Sequence, residues 1–267
     1  MKRIMLVLST FFITLLHADV VMGVVPQQSP LKLLKVWGPI AAYLSQEIGE
    51  NVVFKTEKSI GKFEKVLYSG GYDFAYMNPY HFVVAHKVQG YEAKVRASKN
   101  IKGILVQKKG TSKEKVLDKH SRFLFPAPNA FAATLLTKHE LLQKYNMDLN
   151  VLNKAVRYVN SHDSVYKGVS RGIGDIGGGI ERTFNSLSDM KTKNSLDIVH
   201  TTKAYPSHPF AFKPTMPKEL KRKIADALLS MPQMYLKPLK MKALKAINND
   251  EYDSVKALAI KLKIMPR

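Results

Sequence analysis

The sequence predicts an α/β fold made of two similar units, each a mostly parallel sheet flanked by helices. Short apolar or β-branched runs alternate with helical patterns over residues 19–90 and again over residues 122–180. This alternation is typical of parallel sheets whose strands are joined by helices. The runs 91–109 and 196–205 are extended and contain no helical pattern. They fit either antiparallel strands or segments that cross between the units.

The first unit is predicted from its β-branched and aromatic runs and from the helix signals between them. Ser29 and Pro30 indicate the start of a long helix, because serine caps helix N-termini and proline suits the first helical position. Shorter helices are expected at residues 61–69 and after the loop 78–80. The predicted strands cover residues 19–25, 51–56 and 72–77.

The second unit repeats this organisation, and a lysine-rich region follows it. Helices are expected at residues 130–145 and 164–171, and Asn129 is expected to cap the first of them. The predicted strands cover residues 122–125, 155–160 and 175–180. After the second extended run, the C-terminal third is predicted to be helical over residues 218–231, 237–247 and 250–263.

Composition restricts the classes of function. The chain has 267 residues and a net charge of +21, which fits an anionic ligand as well as general solubility or a basic proteome. Nucleic-acid binding is disfavoured, because the lysines are scattered and no basic stripe with interleaved aromatics occurs. The chain has no cysteine, which excludes disulfides, thiolate metal sites and a cysteine nucleophile. The eight histidines lack metal-ligand spacing, so no metal or other cofactor is expected.

Residues 1–18 have the pattern of a secretory signal peptide. Lys2 and Arg3 precede the apolar run 4–16, and Ala18 is a small residue at the expected cleavage point. The apolar run is too short for a comfortable membrane span. The pattern predicts an exported protein, with an uncleaved anchor or a buried strand as the alternatives.

Polar loops follow four of the predicted strands. They cover residues 26–29, 78–80, 128–130 and 161–163. In doubly wound sheets, ligands bind beyond the carboxyl ends of the strands. If the two units face each other, these loops meet in one cleft. The run Gly172 to Gly177 spells a dinucleotide-binding glycine pattern, but it runs into a strand instead of following one, so that function is disfavoured.

Several segments occur in an order that resembles one protein family. They are VVPQQSP with the following KVWGPIAAYLSQEIG, YSGGYDFAYMNPYHFVVA, FPAPNAFAATLL, VNSHDSVYKGVSRGIGDIGGGIERT and KAYPSHPFAFKPTMPKEL. The set resembles the periplasmic substrate-binding proteins of phosphate/phosphite/phosphonate-type ABC transporters. The resemblance implies a two-lobed type II, or Venus flytrap, fold. Lobe 1 would comprise residues 19–103 and 202–267, and lobe 2 residues 104–201.

The resemblance also implies where an anion would bind. In that family the anion lies against a helix N-terminus, here near the backbone N–H groups of Asn129, Ala130 and Phe131, and His162 matches a histidine that donates to the ligand. The sequence departs from the family at residues 129–133, where Asn-Ala-Phe-Ala-Ala replaces a Ser/Thr-rich turn. A larger or less charged ligand than phosphonate, with Phe131 as a wall, is therefore also expected.

Other polar residues near these loops are candidates for ligand contact. Gln27 and Gln28 can hydrogen-bond a polar ligand. The Tyr80 phenol could donate a hydrogen bond to it, and Asn78 would shape the turn that holds Tyr80. Each has a structural alternative: loop solvation for the glutamines, a buried anchor for the tyrosine, helix capping for the aspartate and pairing with lysine for the glutamate. The residues are Gln27, Gln28, Asn78, Tyr80, Asp163 and Glu181.

The resulting expectation is a binding protein and not an enzyme. It would capture a small polar, anionic ligand between the lobes and deliver it to a membrane ABC permease, acting as a monomer. One alternative is a periplasmic sensor subunit for a membrane kinase. A periplasmic hydrolase using His162 and Asp163 as acid and base is a further alternative, but the sequence lacks a G-x-S-x-G nucleophile motif.

Overall fold

The structure, a computed structural model, describes residues 19–112, 120–151 and 155–266. The predicted signal peptide at residues 1–18 lies outside the described residues. Within the described ranges, no helix has the length and hydrophobicity needed to span a membrane.

The strands fall into two sheets. In chain order they are β1 (Val20–Val24), β2 (Val52–Lys55), β3 (Phe74–Tyr76), β4 (Glu92–Ala97), β5 (Gly103–Lys108), β6 (Phe123–Phe125), β7 (Val156–Tyr158), β8 (Ile176–Ile180), β9 (Leu196–Thr201), β10 (Pro209–Phe212) and β11 (Leu244–Ala246).

The helices cover the faces of both sheets. A π-helical turn, Phe131–Leu135, leads directly into α4, and a 3-10 turn, Asn249–Tyr252, leads into α10. In chain order the α-helices are α1 (Pro30–Ile48), α2 (Ile60–Tyr68), α3 (Pro79–Gln89), α4 (Leu136–Tyr145), α5 (His162–Ser170), α6 (Glu181–Asn185), α7 (Met190–Asn194), α8 (Lys218–Leu229), α9 (Gln233–Leu236) and α10 (Asp253–Lys261).

The two sheets form two lobes, which confirms the predicted two-lobed α/β class. We call lobe 1 the part built on the sheet β11-β4-β10-β3-β1-β2, and lobe 2 the part built on β7-β6-β8-β5-β9. The β2-β1-β3 and β7-β6-β8 neighbours are parallel, as the alternating pattern predicts. The strands next to the crossings pair antiparallel, so both sheets are mixed.

The chain crosses between the lobes through two segments that lie side by side. Ile101 and Tyr205 form an isolated antiparallel bridge between these segments. The Ile101 N–H donates to the Tyr205 carbonyl at 2.8 Å, and the Tyr205 N–H donates to the Ile101 carbonyl at 3.0 Å. The extended runs of the sequence are therefore both crossing segments and antiparallel strands.

The core of lobe 1 reaches the cleft and continues into lobe 2. Trp37 and Tyr76 pack with ring centroids 4.8 Å apart, and Phe210 lies 5.1 Å from Tyr76. The same apolar cluster includes Ala130 and Ile180 of lobe 2. The lobes are therefore in contact, in a closed arrangement.

The helix predicted at residues 237–247 is wrong, because this segment contains β11. The Ser98 N–H donates to the Ala243 carbonyl and the Ile247 N–H to the Lys94 carbonyl, each at 2.9 Å. Met241, Leu244 and Ile247 have helical spacing, but the open edge of β4 offers backbone partners that local propensity does not reveal.

The glycine run in β8 lets the π-helical turn lie directly on the lobe 2 sheet. A Cβ added to Gly178 would lie 2.3 Å from the Ala133 carbonyl oxygen, and one added to Gly103 would lie 2.1 Å from the Ala132 carbonyl oxygen. Both distances are shorter than real Cβ contacts. The glycine pattern at residues 172–177 continues directly into Gly178 and Gly179. The absence of side chains in this run allows the π-helical turn to pack closely on the sheet beneath the cleft.

Replacing Gly178 by alanine should destabilise the protein by about 1–3 kcal/mol, because the turn or Phe125 must move to admit the methyl group. The measurement is the free energy of unfolding in urea. Gly61→Ala is the control, since no atom lies within 4 Å of the added carbon and helix propensity should stabilise that variant by about 0.5–1 kcal/mol. Equal effects of the two substitutions would contradict the packing explanation.

Candidate functional site

Polar residues from both lobes line a small cavity in the closed cleft. Gln27 follows β1, Asn78 precedes α3, His162 begins α5 and His208 precedes β10. Residues 130–133 complete one wall. The cavity volume is ≈ 10 Å³, which is room for about one water molecule. Four of the predicted loops therefore meet at one place.

The π-helical turn presents its first backbone N–H groups at this cavity. The first bonds within the turn run from the Thr134 and Leu135 N–H groups to the Ala130 carbonyl, at 2.8 and 3.3 Å. The N–H groups of Phe131, Ala132 and Ala133 precede these bonds and belong to the positively polarised end of the helix. The turn can therefore stabilise negative charge in the cavity.

Asn129 does not cap this helix, so that prediction is wrong. The N-cap residue is Ala130, with no side-chain cap bond. The Asn129 carbonyl accepts from Asn78 Nδ2 at 3.1 Å, which joins the two lobes. The Thr134 hydroxyl donates to the Ala127 carbonyl at 2.8 Å. Backbone N–H groups, and no hydroxyl of this turn, therefore provide the donors.

His162 lies at the cavity with an unpaired ring. Its backbone N–H donates across the lobes to the Gln27 carbonyl at 3.1 Å, while its buried Nδ1 has no partner. Burial, and to a lesser extent the positive charge of Arg182, lower the pKa of His162 to about 3. The ring is neutral near pH 7, and so it can donate one hydrogen bond without carrying charge.

His208 is the second buried histidine at the cavity, and the sequence analysis missed it. Arg182 donates to Gln27 Oε1 at 3.1 Å, which orients the Gln27 amide so that Nε2 donates to His208 Nε2 at 3.0 Å. The proton of neutral His208 is then on Nδ1, which is buried without a partner. Burial lowers the pKa of His208 well below its ordinary value, and the charge of Arg182 lowers it further.

Arg182 was also missed, and it links the lobes from the first turn of α6. Its guanidinium donates to the Tyr76 hydroxyl and to Gln27 Oε1, and it lies 5.7 Å from the centre of the Tyr76 ring. Tyr76 in turn stacks on His208, with ring centroids 5.2 Å apart. The only sequence signals were the adjacency of Arg182 to the candidate Glu181 and the position of His208 before a strand.

Two other candidates join the lobes beside the cavity. Gln28 Nε2 donates to Ser186 Oγ at 3.4 Å, and Asp163 lies 3.6 Å from Lys32. Neither Gln28 nor Asp163 lines the small cavity. Ser161, and not Asp163, caps α5, by accepting from the Ser164 N–H. These residues are placed to hold the lobes closed.

Tyr80 and Glu181 lie away from the small cavity. The Tyr80 hydroxyl donates to the Ile264 carbonyl at 2.6 Å, as expected of a buried anchor. Glu181 accepts from Lys99 at 3.2 Å and lines a separate cavity of ≈ 80 Å³ beside the crossing segments. Across the residues that the structure describes, no cluster of three His, Asp or Glu side chains is arranged to hold a metal ion.

The buried neutral histidines should make the closed protein sensitive to acid. Both pKa values are lowered, so between about pH 6.5 and pH 3 an unfolded chain binds protons that the folded chain excludes, and stability falls as pH falls. His162→Gln should make the pH dependence shallower by up to about 1.4 kcal/mol per pH unit. The positive charge of Arg182 acts on both rings, and His81 and His162 act in addition on His208.

Urea unfolding between pH 7 and pH 4 measures this dependence. His86→Gln is the matched control, because His86 is an exposed histidine near the end of α3 and does not line the cleft cavity. An unaltered slope in His162→Gln would contradict the assignment of acid sensitivity to the buried ring.

Several solved structures match the fold of this protein over nearly its whole chain. A binding protein component of an ABC phosphonate transporter from Pseudomonas aeruginosa is 16% identical, with a TM-score of 0.84, covering 92% of this chain and 87% of that chain. PhnD1 from Prochlorococcus marinus, in complex with methylphosphonate, is also 16% identical, with a TM-score of 0.84 and coverage of 92% and 99%. A chloride-bound protein from Xanthomonas citri is 13% identical, with a TM-score of 0.65 and coverage of 92% and 97%.

A family model matches residues 22–255, which is most of the chain. The matching family is described as the phosphonate periplasmic substrate-binding protein of an ABC transporter. The match includes the polar loops after β1 and β3, the π-helical turn, and the starts of α5 and α6. It confirms the resemblance found in the sequence: the chain belongs to the ABC transporter phosphonate periplasmic substrate-binding protein family.

Proposed function

We propose that this protein is an exported, periplasmic solute-binding protein that captures a small phosphorus oxyanion between its lobes and delivers it to a membrane ABC permease. The observation that carries the proposal is the pair of buried histidine rings with unpartnered Nδ1 atoms at the interlobe cavity. Buried polar atoms are rarely left without partners. A bound ligand with several oxygen atoms would provide those partners.

The donors at the cavity suit an anion. Neutral His162 and His208 can each donate one hydrogen bond, and the first N–H groups of the π-helical turn add the positive end of a helix. None of these donors needs to change its charge when the ligand binds. The donor set therefore supports a ligand that accepts hydrogen bonds from several directions, as a phosphonate or phosphite does.

The closed cavity is too small for such a ligand as it stands. At ≈ 10 Å³ it holds about one water molecule, so the ligand would enter with the lobes apart and replace some contacts between them. We propose lobe boundaries at residues 19–103 with 202–267, and at residues 104–201. Rotation at the paired crossing segments would then open the cleft.

The hydrolase alternative has less support. Asp163 pairs with Lys32, and the His162 ring makes no hydrogen bond to Asp163 among the described contacts. Burial also keeps the pKa of His162 low, at about 3, which makes it a weak base near pH 7. Ligand capture requires only the donor function of this ring.

A thermal-shift titration of the chain from Asp19 onward tests the proposal. Methylphosphonate, phosphite, phosphate and sulfate are added singly, and one phosphorus oxyanion should raise the melting temperature, because ligand at 100 times its dissociation constant stabilises the folded state by about 2.7 kcal/mol. His162→Ala should weaken binding at least tenfold, measured by calorimetry, because a donor to the anion is lost.

His86→Ala is the matched control and should bind like the parent chain. Silence from every phosphorus oxyanion would contradict the proposed ligand class. Full affinity in His162→Ala would contradict the proposed site while leaving the ligand class intact.

A further inference from the structure

The interior of the cleft contains a cation without a protein counter-charge. Arg182 is partly buried, and both of its hydrogen-bond acceptors, Tyr76 Oη and Gln27 Oε1, are neutral. Among the described residues, Arg96 is the other arginine that is not exposed. Arg96 forms an ion pair with Glu251. A partly buried guanidinium keeps its charge at every physiological pH. The guanidinium of Arg182 is therefore free of a carboxylate partner among the described residues and can pair with an anion that enters the cleft.

Neither of the two cavities inside the cleft is lined by an acid among the described residues. Glu181 lies beside Arg182 only at the cavity near the crossing segments, where it pairs with Lys99. Arg182, Gln27 and Tyr76 line a cavity of ≈ 30 Å³ next to the small one. Within the described part of the chain, the residues lining these two cavities include no aspartate and no glutamate. An ammonium group placed there would meet a guanidinium and neutral groups only. Gln27 Oε1, an oxygen that could accept from it, is already bound by Arg182.

The carboxylates Glu181, Glu64 and Asp163 each have a basic side chain of the protein beside them. Glu181 accepts from Lys99 at 3.2 Å beside the crossing segments. Glu64 lies 3.0 Å from the His81 ring. Asp163 has one buried oxygen without a partner, but it lines neither cavity and Lys32 lies 3.6 Å from its other oxygen. None of these acids is placed at the cavities to receive a positively charged ligand group.

We propose that Arg182 restricts the ligands to phosphorus oxyanions whose organic substituent carries no ammonium group. This inference rests on the proposed function and names the substrate class of the same cleft. A ligand oxygen replaces Gln27 Oε1 or Tyr76 Oη as an acceptor for the guanidinium, forming a charge-assisted hydrogen bond. An ammonium substituent in the closed cleft loses its water and finds only neutral acceptors such as Gln28 and Ser186, and it is repelled by Arg182.

Two ligands of nearly equal shape test the substrate class. Propylphosphonate and 2-aminoethylphosphonate differ at the terminal group, which is methyl in one and ammonium in the other. Calorimetry on the parent chain should give at least tenfold tighter binding of propylphosphonate. Methylphosphonate is measured beside them as the reference for oxyanion binding.

Variants then test the assignment to Arg182. Arg182→Met removes the charge at similar length and should reduce the preference at least threefold, whereas Arg182→Lys should retain it. Lys102→Met is the matched control, because Lys102 lines the cavity at the crossing segments but neither of the two cavities inside the cleft, and it should leave the ratio unchanged. Circular dichroism verifies folding, and Arg182→Gln replaces Arg182→Met if that variant does not fold.

The outcomes separate this inference from the proposed function. Equal binding of the two ligands by the parent chain, or tighter binding of 2-aminoethylphosphonate, would overturn the inference while the proposed function stands. A preference that persists unchanged in Arg182→Met or Arg182→Gln would overturn the role of Arg182. Binding of none of the three phosphonates would overturn the proposed function, and this inference with it.

Discussion

The hydrogen bonds of Gln27 organise the polar interior of the closed cleft. Its carbonyl accepts from the His162 backbone, its Oε1 accepts from Arg182, and its Nε2 donates to His208. Two of these partners come from lobe 2 and one from lobe 1. Because an amide has one accepting and one donating end, the bond from Arg182 decides which end faces His208. The position of the His208 proton follows from that choice.

In this arrangement, the neutral histidine rings can donate hydrogen bonds and a different group, Arg182, carries the positive charge. The histidine rings are neutral because they are buried and because Arg182 lies nearby, so they contribute fixed donors without positive charge. The positive charge next to these rings is carried by Arg182, because arginine guanidinium groups are charged in proteins. Recognition of an anion therefore uses preorganised neutral donors, the end of a helix and one guanidinium. Such a site requires little reorganisation on binding, which favours affinity.

The sequence predicts the two-lobed fold and several site positions because both depend on local patterns. Strand and helix alternation is visible along the chain, and Gln27, Asn78 and His162 follow predicted strands. Arg182 and His208 have no comparable signal, because their roles arise only when the chain crosses between the lobes twice. The contacts of Gln27, Asn78, Ala130, Phe131 and His162 with a ligand remain predictions.

Local patterns also failed where packing decided the backbone. Residues 244–246 have helical spacing but complete the edge of a sheet. Asn129 precedes a helix but its side chain does not cap it, because the helix begins with a π-turn pressed against Gly178. The glycine run that resembles a nucleotide-binding pattern instead allows the π-helical turn to approach the sheet. Close packing across a sheet is not encoded in any single segment.

The ion pairs that flank the cleft are individually weak, and this affects how a ligand can act. The pairs Lys32–Asp163 and Lys99–Glu181 flank the cleft, and partly exposed pairs of this kind contribute about 0–1 kcal/mol each. The apolar cluster of lobe 1 also includes Ala130, Phe131 and Ile180 of lobe 2. A ligand that binds the closed form better than the open form shifts the equilibrium between them by its difference in affinity for the two forms.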